Sequence, residues 1–175
     1  MGKALTNPAR PFAAVLGGAK VSDKLKLIDN LLGKCDSVLV CGGMAFTFIK
    51  AQGGAIGDSL CDDEKLELCR GLIEKARQTG TALLLPTDAV AADAFSADAH
   101  TQTVAADAIP AGWRGLDIGP ATVQAYAAVI AKAGTVVWNG PAGVFEMPAF
   151  ARGTEGIARA VAESHAVSII GGGDS

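Results

Sequence analysis

The 175-residue chain is 50% hydrophobic and 19% charged, with a formal net charge of −3 at pH 7. A chain of this size buries on the order of 70% of its unfolded surface as one domain, and its mild acidity excludes a general attraction to nucleic acid or anionic membrane, so any anion site must be local. The opening MGKALTNPARPF has no apolar core of signal-peptide length and formally fits only a loose myristoylation pattern; no segment approaches the ~20 unbroken apolar residues of a membrane helix, so a cytoplasmic location is expected.

Apolar runs of strand length alternate with helical patterns along the chain. The first run, Phe12 to Leu16, stops at Gly17-Gly18, and a helix is predicted from near Ser22, with lysines at Lys20 and Lys24. A helix start carries partial positive charge, so a lysine there is unfavourable by roughly 0.3–1 kcal/mol and a negative partner is expected. DKLKLIDNLLGK then reads as helix, SVLVC as a strand closed by Gly42-Gly43, and MAFTFIKAQ as helix. In DEKLELCRGLIEKARQ the residues Leu66, Cys69, Ile73 and Ala76 form one apolar stripe, with Asp62 as the expected start cap and Gly80 as the stop.

TALLL follows as a strand. Residues 86–114 break the rhythm and read as loop, a short strand and turn, an insertion at the sheet edge. The alternation resumes with strand GLDI, helix ATVQAYAAVIAKA, strand TVVW, a helix over 149–164 and strand AVSII.

The strands are continuous apolar runs rather than apolar-polar alternations, which suits a parallel sheet covered by helices on both faces. The expected architecture is an open, mostly parallel, Rossmann-like α/β sandwich. Each strand is followed by a turn cluster: Gly17-Gly18, Gly42-Gly43, Pro86-Thr87-Asp88, Asn139-Gly140-Pro141 and Gly171-Gly172-Gly173-Asp174. All of them therefore fall on the carboxyl edge, where open α/β sheets bind ligands and glycine lets backbone come close.

The chain contains neither GxxxxGK[ST] nor GxGxxG, which excludes a Walker loop and weakens a dinucleotide reading. What remains is a dispersed phosphate site: Lys20 and Lys24 as point charges, Asn139 as an amide, and GGGD as backbone donors followed by a carboxylate able to hold Mg²⁺. Taken singly, each piece also reads as solvated lysine, turn glycine, loop or helix cap. Cys35, Cys41, Cys61 and Cys69 show no CxxC pair and no nearby histidine, so reduced, mostly buried thiols are expected. His100 and His165 have no nucleophile or ligand partner in the sequence and read as structural or exposed.

Taken together, LGGAKVSDK, GGMAFTFIKAQG, PTD, FSADA, IPAGWRGLDIGP, VVWNGPAGVFE, FARGT and SIIGGGDS, in this order and spacing, resemble the carboxyl-terminal nucleotide-binding domain of the phosphoglycerate kinase family over essentially all 175 residues. The resemblance implies a glycolytic phosphotransferase, a two-domain hinge enzyme that moves a phosphoryl group between 1,3-bisphosphoglycerate and Mg-ADP to give 3-phosphoglycerate and Mg-ATP. By matching motifs, Lys20 and Lys24 look like the catalytic lysines on the nucleotide phosphates and the group in flight. Gly17, Gly18, Gly42, Gly43, Leu60, Phe95, Gly115, Leu116 and Pro141 resemble the close walls around adenine. Glu146 resembles the ribose ligand, Asn139 the phosphate-contacting amide and Asp174 the Mg²⁺-associated carboxylate, while Gly172, Gly173 and Ser175 match the backbone cradle. The implied partners are ATP or ADP, with a monomeric whole enzyme.

Three departures from the family pattern set further expectations. The amino-terminal domain with the arginine and histidine cluster that holds the phosphoglycerate has no counterpart here, so this chain alone is expected to turn over nothing. The family also continues beyond GGGDS, so the sheet is expected to lack its last edge strand and to invite self-association. Cys41, where the family usually has a third glycine, is expected to tighten the adenine wall. The alternatives are a stand-alone nucleotide-binding module and a non-catalytic assembly fragment.

Overall fold

A computed structural model of the chain describes residues 9–19 and 21–171. The elements, in chain order, are β1 (Phe12–Leu16), α1 (Leu25–Leu31), β2 (Ser37–Val40), α2 (Met44–Ala51), β3 (Ala55–Ile56), α3 (Leu66–Thr79), β4 (Ala82–Leu84) and β5 (Asp88–Ala92). They continue with β6 (Thr101–Ala105), β7 (Ala108–Ile109), β8 (Arg114–Ile118), α4 (Pro120–Lys132), β9 (Thr135–Asn139), α5 (Arg152–Glu163) and β10 (Val167–Gly171). Short 3₁₀ turns precede α1, α3 and α5.

The main sheet has the order β10-β9-β1-β2-β4 and is parallel throughout. Alternation along each central strand sends side chains into two separate cores. Phe12, Ala14 and Leu16 with Val38 and Val40 meet α1, α2 and α3 on one face, through Ile28, Met44, Phe48, Cys69 and Leu72. Ala13, Val15, Leu39, Val136 and Trp138 meet α4 and α5 on the other, through Tyr126, Ile130, Ile157 and Val161. Both faces being covered explains why these strands read as unbroken apolar runs. Among the described residues nothing pairs with the outer edge of β10, where Val167 and Ile170 are 58% and 53% exposed.

Several sequence expectations are corrected. GLDI does form a strand, β8, but in a separate three-stranded antiparallel sheet of order β6-β5-β8 and not in the parallel one. Residues 86–114 accordingly hold most of a second sheet, with β3 and β7 as a small parallel pair beside it, rather than a loop with one short strand. The strand DAVAA was hidden by alanines, which carry little strand preference; their small side chains Ala89, Ala91 and Ala92 are fully buried.

The second sheet docks through Phe46 of α2. A Cβ at Gly115 would collide with the Phe46 ring, so glycine there lets the aromatic side chain lie against the strand. Asp62 makes no side-chain cap: a 3₁₀ turn separates it from α3, and its N–H donates to Thr47 Oγ1 at 3.0 Å. Gly80 does end α3, in the left-handed region at φ 77°.

Cys35, Cys41 and Cys69 are buried free thiols and Cys61 is half-buried. Burial pushes the first three up to about 12. His165 is exposed, and His100 is exposed and bonded to Asp93 through Nδ1 at 3.1 Å.

Candidate functional site

Parallel pairing brings the turns after β1, β2 and β9 side by side, and main-chain bonds knot them together. Gly17 N–H donates to the Asn139 carbonyl at 2.7 Å, Gly18 N–H to Pro141 at 3.2 Å, Gly42 N–H to Ala142 at 3.0 Å, and Met44 N–H to Gly18 at 3.0 Å. Gly42 sits at φ 75°, and a Cβ there would lie 2.6 Å from both N and O of Gly18. At Gly17 a Cβ would overlap the Pro141 carbonyl. These glycines permit the turns to touch one another.

A cavity of about 510 Å³ opens beside this knot, within the range of small-molecule sites. The knot supplies Gly18, Gly42, Gly43 and Pro141 to its lining. The apolar walls come from Leu60, Leu116 and Phe95 with Gly115, and Glu146 stands at the rim among Gly143, Val144 and Phe145. Leu60 and Phe95 are 48% and 56% exposed, so two large apolar side chains stand open at the mouth.

Lys24 and Asn139 meet at the neighbouring end of the knot. Lys24 stands immediately before α1, its stem passes Gly18, and its Nζ donates to Asn139 Oδ1. The helix start thus turns its lysine away from its own axis and toward the carboxyl end of β9.

The structure therefore gathers Gly18, Gly42, Gly43, Leu60, Phe95, Gly115, Leu116, Pro141 and Glu146 around one cavity, with Lys24 and Asn139 bonded next to it. Gly17 is a correction: it is buried inside the knot and does not line the cavity, because its space is taken by the Pro141 carbonyl. Cys41 is another; its side chain lies in the α4–α5 core beneath the turn, its Sγ donating to the Leu16 carbonyl at 3.5 Å, and it leaves the cavity wall untouched. Lys20, Gly172, Gly173, Asp174 and Ser175 lie outside the described residues.

Three groups were not foreseen. Asp58 and Arg114 line the cavity, and neither belongs to a turn that follows a strand of the parallel sheet. Asp117, 3% exposed, lies directly behind Leu116 and accepts from the Gly153 and Ile118 N–H groups at 2.9 Å each. Val144 N–H donates to Leu116 O at 2.8 Å, and Ala142 N–H to Thr154 Oγ1 at 3.0 Å, so β8, the Glu146 loop and the start of α5 form one unit. Burial pushes the Asp117 carboxyl up to about 7, against the two N–H donors that favour its charged form. The only forewarning was an acid inside an apolar strand. Asp88 plays a similar anchoring part, accepting from Ala121 N–H at 3.0 Å, Thr122 N–H at 2.9 Å and the Thr122 hydroxyl at 2.6 Å at the start of α4.

Fold and cavity define a class: a parallel α/β protein with a mixed polar and apolar cleft at the carboxyl ends of its strands. The phosphoglycerate kinase family model matches residues 1–175. The phosphoglycerate kinases of Acidobacterium capsulatum and Moorella thermoacetica are 56% and 57% identical, each match covering 100% of this chain and 44% of the relative. The crystal structure of phosphoglycerate kinase from Pyrococcus horikoshii superposes with a TM-score of 0.78 at 30% identity, over 99% of this chain and 44% of that one. For the phosphoglycerate kinase of Coxiella burnetii the TM-score is 0.96 at 49% identity, over 98% and 44%. The chain belongs to the phosphoglycerate kinase family, a family of enzymes, and spans less than half the length of these relatives.

Proposed function

We propose that this chain supplies the nucleotide half of a reversible phosphoryl transfer in glycolysis, from 1,3-bisphosphoglycerate to ADP, giving 3-phosphoglycerate and ATP. One observation carries the reading: a cavity walled by Leu60, Leu116 and Phe95 lies next to a lysine-amide pair, Lys24 with Asn139, across a knot of backbone turns. A flat base suits the first part and a chain of phosphates the second. Glu146, in the same lining, carries a carboxylate able to accept from ribose hydroxyls, which supports the reading.

Phosphoryl transfer between two oxygens that already leave and attack well needs positioning and charge neutralisation more than a strong base. Lys24 holds its ammonium against Asn139, and both can turn to phosphate oxygens without rebuilding the backbone beneath them. Lys20 is assigned the same work by its motif. A bound Mg²⁺ would neutralise charge on the phosphate oxygens; the family motif assigns it to Asp174, outside the described residues.

Titration of the 175-residue chain with Mg-ADP tests the nucleotide reading. Binding is expected, and Lys24→Met is expected to weaken it roughly ten-fold, the scale of one charge-assisted hydrogen bond. Unaltered affinity in that variant removes Lys24 from the site. A coupled assay supplied with 1,3-bisphosphoglycerate is expected to register no ATP from the pure chain, because acid-substrate binding is assigned to a domain not represented in it.

Val167 and Ile170, exposed on β10, whose outer edge is unpaired among the described residues, favour a second reading, a non-catalytic assembly fragment. Light scattering that shows a dimer in a chain indifferent to nucleotide would select it.

A further inference from the structure

Between β3 and the 3₁₀ turn before α3, residues 57–62 form a strap without regular structure. Its first half lies against the start of β8. Gly57 sits at φ 57°, and a Cβ there would be 2.4 Å from the Pro110 carbonyl oxygen. Asp58 N–H donates to the Trp113 carbonyl at 2.8 Å, and Ser59 Oγ accepts from Gly115 N–H at 2.8 Å. The far end lies against α2, where Asp62 N–H donates to Thr47 Oγ1 at 3.0 Å. Leu60 hangs between these ties. A Cβ at Gly43 would come within 3.2 Å of Leu60 Cδ2, so the side chain leans over the turn after β2 and forms part of the cavity wall. At 48% exposed, Leu60 is not fixed by burial. The two hydroxyls are buried, Ser59 at 8% and Thr47 at 1%. Buried hydrogen bonds to main chain are costly to break, so they fix the backbone on either side of Leu60.

We propose that Ser59 and Thr47 are positioning residues for nucleotide binding: their hydroxyls latch the strap at its two ends and thereby hold Leu60 in the wall against which a flat base lies. The role rests on the nucleotide reading and adds to it the device that sets one wall. Neither residue belongs to the cavity lining, so both act through Leu60. The Ser59 tie also couples the two leucines, because Leu60 follows Ser59 in the chain and Leu116 follows Gly115. A wall tied in this way is in place before a ligand arrives, which leaves less ordering to be done on binding. Loss of either latch frees Leu60 to swing toward solvent. The base then loses an apolar partner while the cores keep all of theirs.

Calorimetric titration of the 175-residue chain with Mg-ADP tests this in Ser59→Ala, Leu60→Ala and the two combined, and in Thr47→Val and Thr47→Ser. Leu60→Ala is expected to weaken binding about ten-fold, the scale of a few buried methyl groups. Ser59→Ala is expected to weaken it about five-fold, the scale of one neutral hydrogen bond. In a chain that already carries Leu60→Ala, the same Ser59→Ala change is expected to cost less than about two-fold, since the side chain it positions is gone. Thr47→Val is expected to weaken binding about five-fold, and Thr47→Ser, which keeps the hydroxyl, to stay within about two-fold of the unsubstituted chain. A purely structural hydroxyl would cost the same with or without Leu60, and that result overturns the proposal, as does a Ser59→Ala chain that binds as before. Where Ser59→Ala fails to fold, the Thr47 pair decides: Val and Ser variants with equal affinity overturn the proposal, and loss in Val alone supports it. An unsubstituted chain that binds no Mg-ADP overturns the nucleotide reading and this one with it, a result distinct from normal binding with indifferent Ser59 and Thr47 variants.

Discussion

The two sheets contribute to the cavity in opposite ways. The parallel sheet contributes main chain: glycine turns after β1, β2 and β9, locked by N–H to carbonyl bonds. The antiparallel sheet contributes side chains: Arg114 and Leu116 on β8, Phe95 between β5 and β6, and the buried Asp117 behind them. One region therefore has no room for an added atom at Gly17, Gly42 or Gly140, while the other is adjustable at its surface and constrained where it anchors.

The sharpest way to break that contrast is Gly17→Val. A Cβ at Gly17 would lie 2.7 Å from the Gly140 carbonyl oxygen as well as overlapping Pro141, and these are backbone atoms that cannot rotate away. Urea unfolding is expected to show a loss of about 3 kcal/mol or more. A loss under about 1 kcal/mol would show that the turns are loosely joined after all.

Asp117→Asn probes the anchor of the other region. The unfolded carboxyl releases its proton near 3.8, whereas the folded one keeps it until about 7. Between those pH values the folded state holds more protons, so raising the pH through this window removes stability that is fully present below 3.8. The variant is expected to flatten that stretch of the stability profile. It is also expected to lose about 1–3 kcal/mol at low pH, because a carboxamide offers one acceptor oxygen to two N–H groups. A profile with the same slope in both proteins would remove Asp117 as its source.

The smallest effect on folding is expected from Phe95→Ala, at a side chain 56% exposed. Its stability is expected to stay within about 0.5 kcal/mol, while Mg-ADP affinity falls about five-fold, the low end for loss of an aromatic partner to a base. Unchanged affinity would leave the adjustable wall without a ligand to hold.

The same contrast governs what the sequence disclosed. FAAVL, SVLVC and TVVW announced buried parallel strands because both of their faces meet helices, and Leu66, Cys69, Ile73 and Ala76 announced α3 by periodicity. Gly18, Gly42, Gly43 and Pro141 were legible because turn residues mark strand ends. DAVAA was not, since fully buried alanines look the same in a helix. Nor could β8 be assigned its antiparallel partner, because pairing with β5 is settled by Phe46 packing against Gly115 from an unrelated part of the chain. The anchoring part of Asp88, and the places of Asp117 and Arg114, escaped for a related reason. Asp88 finds Thr122 34 positions away, Asp117 finds Gly153 36 away, and the Gly115–Ser59 tie beside Arg114 spans 56. Local pattern carries no trace of such partners.

The knot of turns also bears on how such a site can change over generations. Its bonds run between main-chain N–H and carbonyl groups, of which proline lacks only the N–H, so the rear of the cavity is inherited largely independently of side-chain identity, provided the glycines stay. Variation in ligand preference is thereby channelled to the opposite wall, where exchanges at Leu60, Phe95 or Arg114 can retune what is held without disturbing the frame that holds it.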